Sequence, residues 1–208
     1  SSRFTKGHQW GFFPGASLGW IVSEEPFMKR LSAVDNLKLR CSYGQTGNNS
    51  IGLYDAYGLY STNVKYGGNA GINPSTMPNN DLTWEETNQL DAGFDLSLFG
   101  ERLSLSADYF DKRTKNLLFS VTLPNTSGFS SVQENTGEVK FYGYDLEINS
   151  INIQTENFRW DTRLTWSYIK NKVLKLPYIG RDKNRIGGIT LADGTAFGGI
   201  AEGESLYS

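Results

Sequence analysis

Apolar and polar residues alternate one by one along six stretches of this chain, and this period of two constrains the fold more than any other feature. In residues 88–98, every second position is apolar, from Leu90 through Phe94 to Leu98. Successive side chains of a β-strand point to opposite faces, so such a stretch forms a strand with one apolar and one polar face. The same alternation marks residues 12–22, 37–43, 103–109, 142–148 and 158–168. The sequence therefore predicts an all-β chain.

The links between these stretches alternate in length. Residues 99–102 and 154–157 are predicted to be tight turns, and residues 23–36 a moderate link with a helical turn around 26–31. Long segments rich in Asn, Gly and Ser are predicted at about 45–87, 113–137 and 171–199. In an antiparallel sheet every short link then falls at one end and every long loop at the other. Outer-membrane β-barrels have this layout, whereas a soluble sandwich has no reason to sort its loops.

Two details of the long segments stay open at this point. Residues 54–60 are either a further strand or part of a loop. Turn signals at Gly187-Gly188 and Asp193-Gly194 predict a hairpin inside the last long loop.

Composition excludes several classes of protein. The 208 residues include 20 Lys and Arg and 22 Asp and Glu, and this near balance argues against a nucleic-acid binder. A single cysteine and a single histidine exclude an intrachain disulfide and disfavour zinc sites and histidine-based acid–base catalysis. Adjacent carboxylates at Glu24-Glu25 and Glu85-Glu86 face opposite ways on a strand, so neither pair can flank one glycosidic bond. We expect no catalytic residue, no metal ligand and no cofactor, and the chain is not expected to be an enzyme.

Mean hydropathy leaves the question of a membrane open. No run of 18 apolar residues occurs, so no transmembrane helix is predicted. A membrane-spanning strand needs only about 9–11 residues with every second one apolar. A mean hydropathy of −0.43 is therefore compatible with an outer-membrane barrel and with a soluble domain.

Aromatic and basic residues supply the candidate binding groups. One aromatic set lies on the apolar strand faces, where a lipid interface or a core is the expected setting: Trp20, Tyr109, Trp160, Trp166 and Tyr168. A second set lies among Asn, Gly and Ser in residues 45–87: Tyr54, Tyr57, Tyr60, Tyr66 and Trp84. Flat rings beside amide side chains suit stacking on a sugar or contact with a peptide, so we take Trp84, Tyr54, Tyr57 and Tyr60 as candidate substrate-binding residues. The alternative is that these rings hold the loop against its own barrel. Basic residues on the polar strand faces would line a lumen or remain solvated: Lys38, Arg40, Arg159 and Arg163.

Five motifs follow one another along the chain. They are WGFFP at 10–14 with SLGWI at 17–21, LKLR at 37–40 with SYGQTGN at 42–48, NNDLTWE at 79–85, LSLSADYFDKRT at 103–114, and LP at 123–124 with GF at 128–129. In this order they resemble the C-terminal barrel half of the SusC/RagA family of TonB-dependent outer-membrane transporters. Asn80 and Thr83 depart from that pattern, since Pro and Lys are usual there. The resemblance covers essentially the whole chain.

The resemblance implies an antiparallel up-and-down transmembrane barrel of about 22 strands with an N-terminal plug. It implies import of a glycan or peptide across the cell outer membrane, with energy from the TonB complex and with a SusD-like surface lipoprotein as partner. A barrel of that size needs about 220 residues in its strands alone. We therefore expect residues 1–208 to be part of a single TonB-dependent receptor β-barrel domain, roughly seven or eight strands, with the plug domain absent from this chain. Residues 202–207 look like the opening of a further strand.

Two consequences follow from this interpretation. A partial barrel has unpaired edges and an exposed apolar face, so the chain is not expected to be stable alone in water. The alternative function is that of a soluble all-β carbohydrate-binding module, which would bury its apolar face against a second layer.

Overall fold

The strands predicted from the alternation are all present in the computed structural model, which describes residues 1–129, 131–190 and 196–206. Within these ranges the chain forms ten strands: β1 Gly15–Ile21, β2 Val34–Asn48, β3 Leu59–Tyr66, β4 Asn69–Thr76, β5 Glu85–Leu98, β6 Leu103–Thr122, β7 Ser131–Gln154, β8 Arg159–Lys175, β9 Ile189–Thr190 and β10 Ala196–Phe197. Single 3₁₀ turns lie at Val22–Glu24, Met28–Arg30, Asn125–Ser127 and Asp182–Asn184. No α-helix in these ranges is long and apolar enough to cross a membrane.

Six of the strands form one antiparallel sheet in the order β1-β2-β5-β6-β7-β8. The hairpin β3–β4 is inserted between β2 and β5, and β9 pairs with β10 in the last loop. The predicted hairpin in that loop is therefore confirmed, although Asp193 and Gly194 lie outside the described residues. Residues 54–60 resolve into turns followed by the start of β3 at Leu59.

Pairing across the sheet aligns the alternation of each strand with that of its neighbours. One row of directly opposed residues crosses all six strands and is apolar throughout: Trp20, Leu39, Phe94, Ala107, Leu146 and Trp166. Opposed residues point to the same side of the sheet. This row and the equivalent rows on either side of it therefore form one continuous apolar face. The residues between them form the polar face.

The links sort by length only in part, because the eight-residue link between β6 and β7 at one end is shorter than the twelve-residue link between β1 and β2 at the other. The links between β1 and β2, β5 and β6, and β7 and β8 share one end of the sheet, here called the short-turn end. The other end, the long-loop end, carries the remaining links. The long loop expected at 113–137 is wrong, because β6 continues to Thr122 and β7 begins at Ser131.

Burial on both faces explains that error. Near Asn116, whose φ is +56°, the pairing of β6 with β7 shifts register. Leu117 and Phe119 then pack against the buried Val139 and Val173, while Leu118 packs against a different buried cluster. A strand that is covered on both sides loses the alternation of apolar and polar residues, so the pattern no longer indicated a strand.

The apolar face of the sheet has no second layer over it in the described part of the chain. Leu164 is 56% exposed and Trp166 is 52% exposed. The largest fully buried side chains, Phe4, Leu82 and Val173, lie elsewhere, in two clusters at the long-loop end. The architecture is an antiparallel, all-β partial barrel rather than a closed sandwich.

The last described residues lie beside the edge strand β8. The N–H of Val173 donates to the Glu204 carbonyl at 2.9 Å, and the N–H of Gly203 donates to the Val173 carbonyl at 2.8 Å. Residues 202–206 are in a turn conformation, so the strand expected there is not formed in the part that the structure describes, but its backbone already pairs with the neighbouring strand.

Candidate functional site

The polar face of the sheet carries a connected set of charged side chains around Arg40. The register places Arg40 on β2 opposite Gly93 on β5, which in turn lies opposite Asp108 on β6. The guanidinium donates to both carboxylate oxygens of Asp95, at 3.1 and 3.2 Å, and to Asp108 at 2.7 Å. Ser106 joins the same network by donating to Asp95 at 2.9 Å. A planar guanidinium that binds two carboxylates ties three neighbouring strands together on this face.

Glycine makes room for this contact. Gly93 lies directly between Arg40 and Asp108 in the row of opposed residues. A Cβ at this position would collide with the Asp108 carboxylate and the Ala107 carbonyl. The absence of a side chain at Gly93 is therefore what allows Arg40 to reach across β5.

A second polar set extends the network toward β8. Glu147 accepts hydrogen bonds from Arg163 at 2.9 Å and from Asn149 at 2.8 Å. Ser167 donates to Asp145 on the neighbouring strand. The Arg163 and Glu147 side chains are each more than a third exposed, so this ion pair contributes little to stability.

A shallow depression lies on the polar face beside Arg40. Its volume is about 350 Å³, and its lining includes Lys38, Arg40, Ser42, Asp91 and Asp108. Both signs of charge are present, so the depression offers hydrogen-bond donors and acceptors rather than a field of one sign. It can hold polar groups and water.

The predicted polar-face positions of the basic residues agree with the register. Lys38 lies opposite Asp95, Arg163 opposite Asn149, and Arg159 opposite Gln154. Sequence reasoning placed the carboxylates on this face too, but it did not find the pairing of Arg40 with Asp95 and Asp108. Their separation of 55 and 68 residues along the chain leaves no local signal of contact.

The four candidate substrate-binding residues lie at the long-loop end in two different settings. The indole N–H of Trp84 donates to the His8 carbonyl at 3.1 Å, and its ring centroid lies 5.4 Å from that of Phe4 and 5.5 Å from that of Phe13. Trp84 thereby packs against the cluster of Phe4, Ile51, Ala56 and Leu82. No local pattern around Trp84 indicates this contact with the first residues of the chain.

The three tyrosines are more open. Tyr54 is 60% exposed, Tyr57 is 53% exposed and Tyr60 is 71% exposed. The Tyr57 hydroxyl lies 3.4 Å from the Phe4 carbonyl, so Tyr57 stands at the edge of the cluster that holds Trp84. Tyr60 lies on β3, in the hairpin that projects from this end. The side chain of Tyr66 lies outside the described residues.

An ion-pair cluster fixes the segment that follows β8. Arg185 donates to both carboxylate oxygens of Glu204, at 2.9 and 2.8 Å, and Lys183 donates to Glu204 at 2.8 Å. The hydrogen bonds from Lys183 and then Arg185 hold the pKa of Glu204 below its ordinary value. Because this pKa is lowered, the contribution to stability is present above the ordinary glutamate pKa and is lost as the pH falls through the lowered one.

No group of three or more His, Cys, Asp or Glu side chains among the described residues is placed to hold a metal ion. Asp108 and Asp111 illustrate the reason. Asp108 faces Arg40 on the polar face, whereas Asp111 lies three positions further along β6 and pairs with Lys140 on the other face.

Comparisons with known proteins identify related chains. Residues 1–202 match a family model described as "TonB dependent receptor-like, beta-barrel". The chain is 41% identical over 200 residues to the TonB-dependent receptor P39 of Formosa agariphila, a match that covers 96% of this chain and 19% of that protein. It is 36% identical over 186 residues to the TonB-dependent receptor SusC of Bacteroides thetaiotaomicron, which covers 85% of this chain and 18% of that protein.

Solved structures give the same result. A structure of the RagAB peptide transporter aligns with a TM-score of 0.75 at 29% identity, covering 87% of this chain and 20% of that chain. A structure of the RagAB peptide importer in its open-open state aligns with a TM-score of 0.77 at 29% identity, over the same shares of the two chains. The chain thus spans about a fifth of the length of the curated relatives that it matches.

Proposed function

Because this chain belongs to the TonB-dependent receptor-like β-barrel family, we propose that it forms part of the wall of an importer in the cell outer membrane. The whole protein takes up a nutrient of the glycan or peptide class with energy from the TonB complex. Residues 1–208 are part of a single barrel domain, and the plug lies outside this chain. A SusD-like surface lipoprotein is the partner at the long-loop end.

The observation that supports this proposal is the apolar face of the sheet, which carries no charged residue from the row of Leu98 to the row of Ala92. Its outward positions on β5 run from Leu90 to Leu98, a span of about 26 Å along the strand. At a strand tilt of about 40° this corresponds to about 20 Å across a membrane, close to the apolar band of about 25 Å that outer-membrane barrels present to lipid. The polar face around Arg40 then borders the water-filled lumen.

Membrane exposure of this face makes a charge on it costly. In the full-length protein, Leu164→Arg is expected to lower the free energy of unfolding from lipid by about 2 kcal/mol, because Leu164 lies one row from the middle of the apolar band. Thr165→Arg is the matched control, since the neighbouring side chain points to the polar face. Denaturant titration of the protein in vesicles measures both. Equal costs for the two substitutions would contradict the proposed orientation.

Import itself is tested in cells that carry the full-length protein. Such cells are expected to take up labelled oligosaccharides or oligopeptides only when TonB is present. We propose that Tyr54, Tyr57, Tyr60 and Trp84 contact the substrate at the long-loop end, where Tyr54 and Tyr60 offer the most exposed rings of the four.

A ring that stacks on the substrate adds about 0.5–1.5 kcal/mol to its binding. Tyr60→Ala is therefore expected to weaken binding of the transported substrate roughly 2- to 10-fold without a change in the melting temperature. Isothermal titration calorimetry of the full-length protein with the substrate found in the uptake assay measures the effect. The control is Tyr178→Ala, an 84% exposed tyrosine in the loop after β8. An unchanged affinity after Tyr60→Ala, or an equal loss of affinity after Tyr178→Ala, would contradict the assignment of Tyr60.

A further inference from the structure

Charge on the apolar face changes abruptly toward the long-loop end. From Leu98 up to the row that contains Tyr109, Tyr144 and Tyr168, the outward positions of the six strands carry no charged residue. Two rows further, three basic residues lie opposite one another on neighbouring strands: Arg113 on β6, Lys140 on β7 and Lys172 on β8. Lys170 lies on the same face, two positions from Lys172. We call these four residues the basic patch.

Only part of this charge is neutralised by nearby acids. Lys140 forms an ion pair with Asp111 at 2.6 Å, and Arg113 forms one with Glu138. Lys170 and Lys172 are exposed, and neither forms an ion pair with a carboxylate in the described ranges. Lys170 Nζ lies 5.4 Å from the centroid of the Tyr168 ring, which holds the ammonium group at the border of the apolar band. Four cations therefore face two carboxylates.

An apolar groove begins just below the basic patch. The small side chains of Ala92 and Ala107 leave a depression of about 470 Å³ between Phe94, Tyr144 and Trp166. Tyr144 is four positions from Lys140 on β7, which places the groove about 13 Å from the cations. The groove and the basic patch therefore follow one another along the strand direction, on the same face of the sheet.

We infer that this surface binds a membrane lipid whose headgroup carries a phosphate monoester, with the monoester on the basic patch and an acyl chain along the groove. The inference rests on the proposed function, since it needs the apolar face to meet lipid. A phosphate monoester carries close to two negative charges and three acceptor oxygens, which matches the excess of two cations on the patch, whereas the phosphodiester of phosphatidylcholine carries one negative charge that its own ammonium group balances. Lipid with an uncharged headgroup would leave Lys170 and Lys172 without a counter-ion.

The test uses the full-length protein in nanodiscs of phosphatidylcholine with an added fraction of diphosphorylated lipid A as the probe. Native mass spectrometry measures how much lipid A stays bound. The double substitution Lys170→Gln with Lys172→Gln is expected to weaken retention about 30-fold, because each lysine near a charged lipid surface contributes a few-fold to roughly tenfold. Lys38→Gln with Lys112→Gln is the matched control, since both residues face the other side of the sheet, and it is expected to retain lipid A normally.

The outcomes separate this inference from the proposed function. Equal retention by the two double variants, or displacement of bound lipid A by millimolar inorganic phosphate, would overturn the inference. A dephosphorylated lipid A that binds as well as the diphosphorylated form would do the same. If these results came from a protein that still inserts into nanodiscs and imports its substrate, the lipid site alone would be refuted. A full-length protein that stays soluble without lipid or detergent would refute both the lipid site and the proposed function.

Discussion

The 208-residue chain produced alone in water is expected to aggregate, and to remain dispersed only in detergent or lipid. The six-stranded sheet ends in β1 on one side and in the 17-residue strand β8 on the other, and unpaired strand edges of this kind recruit other strands. Its apolar face is uncovered, with Leu164, Trp166 and Trp20 each about half exposed. Exposed apolar surface of this extent drives association in water.

Analytical ultracentrifugation with and without detergent measures this behaviour. The full-length protein treated in the same way is the control, since a closed barrel has no free edges. A monodisperse, cooperatively melting monomer in plain buffer would contradict the partial-barrel interpretation. If that monomer also bound polysaccharide, it would support the soluble carbohydrate-binding module instead.

Trp84→Ala is expected to release the loop between β2 and β5 from the barrel. Trp84 is half-buried between Phe4 and Phe13, and its N–H donates to the His8 carbonyl. Truncation removes these contacts and is expected to cost about 3 kcal/mol in the local stability of this cluster. Amide hydrogens of residues 51–57 should then exchange about 100-fold faster, which hydrogen-exchange mass spectrometry of the full-length protein measures.

Trp10→Ala is the matched control, because it removes the same side chain from a position that is 93% exposed. We expect exchange in residues 51–57 to be unchanged in this variant. If Trp84→Ala left exchange unchanged as well but weakened substrate binding, Trp84 would be a binding residue with no part in holding the loop. Faster exchange with normal substrate binding would assign Trp84 to the loop core alone.

The strands and their faces could be predicted because the signal is local. Each strand face is encoded by residues two positions apart, as from Leu90 to Leu98 in β5, and no distant contact is needed to see it. The two four-residue turns, between β5 and β6 and between β7 and β8, follow from the same stretches. Where both faces are covered, as at Leu117 and Phe119 near the end of β6, the local signal disappears and the predicted loop is wrong.

The candidate site was less accessible to sequence reasoning. Tyr54 and Tyr60 remain candidates for substrate contact, and their exposure is compatible with that role. The cluster around Trp84 depends on Phe4 and His8, nearly 80 residues away in the chain. Nothing in the spacing of either segment indicates that the two meet.

Alternation along each strand is enough to specify which side chains share a face, and hence that one side of the sheet is apolar and the other polar. The tertiary structure alone decided which rows those strands form, so that Arg40 reaches Asp95 and Asp108 past Gly93 and so that Arg113, Lys140 and Lys172 come together. The two differ because the face to which a side chain points is set by the local backbone of its own strand. The register between strands is set by pairing between segments that are far apart in the chain.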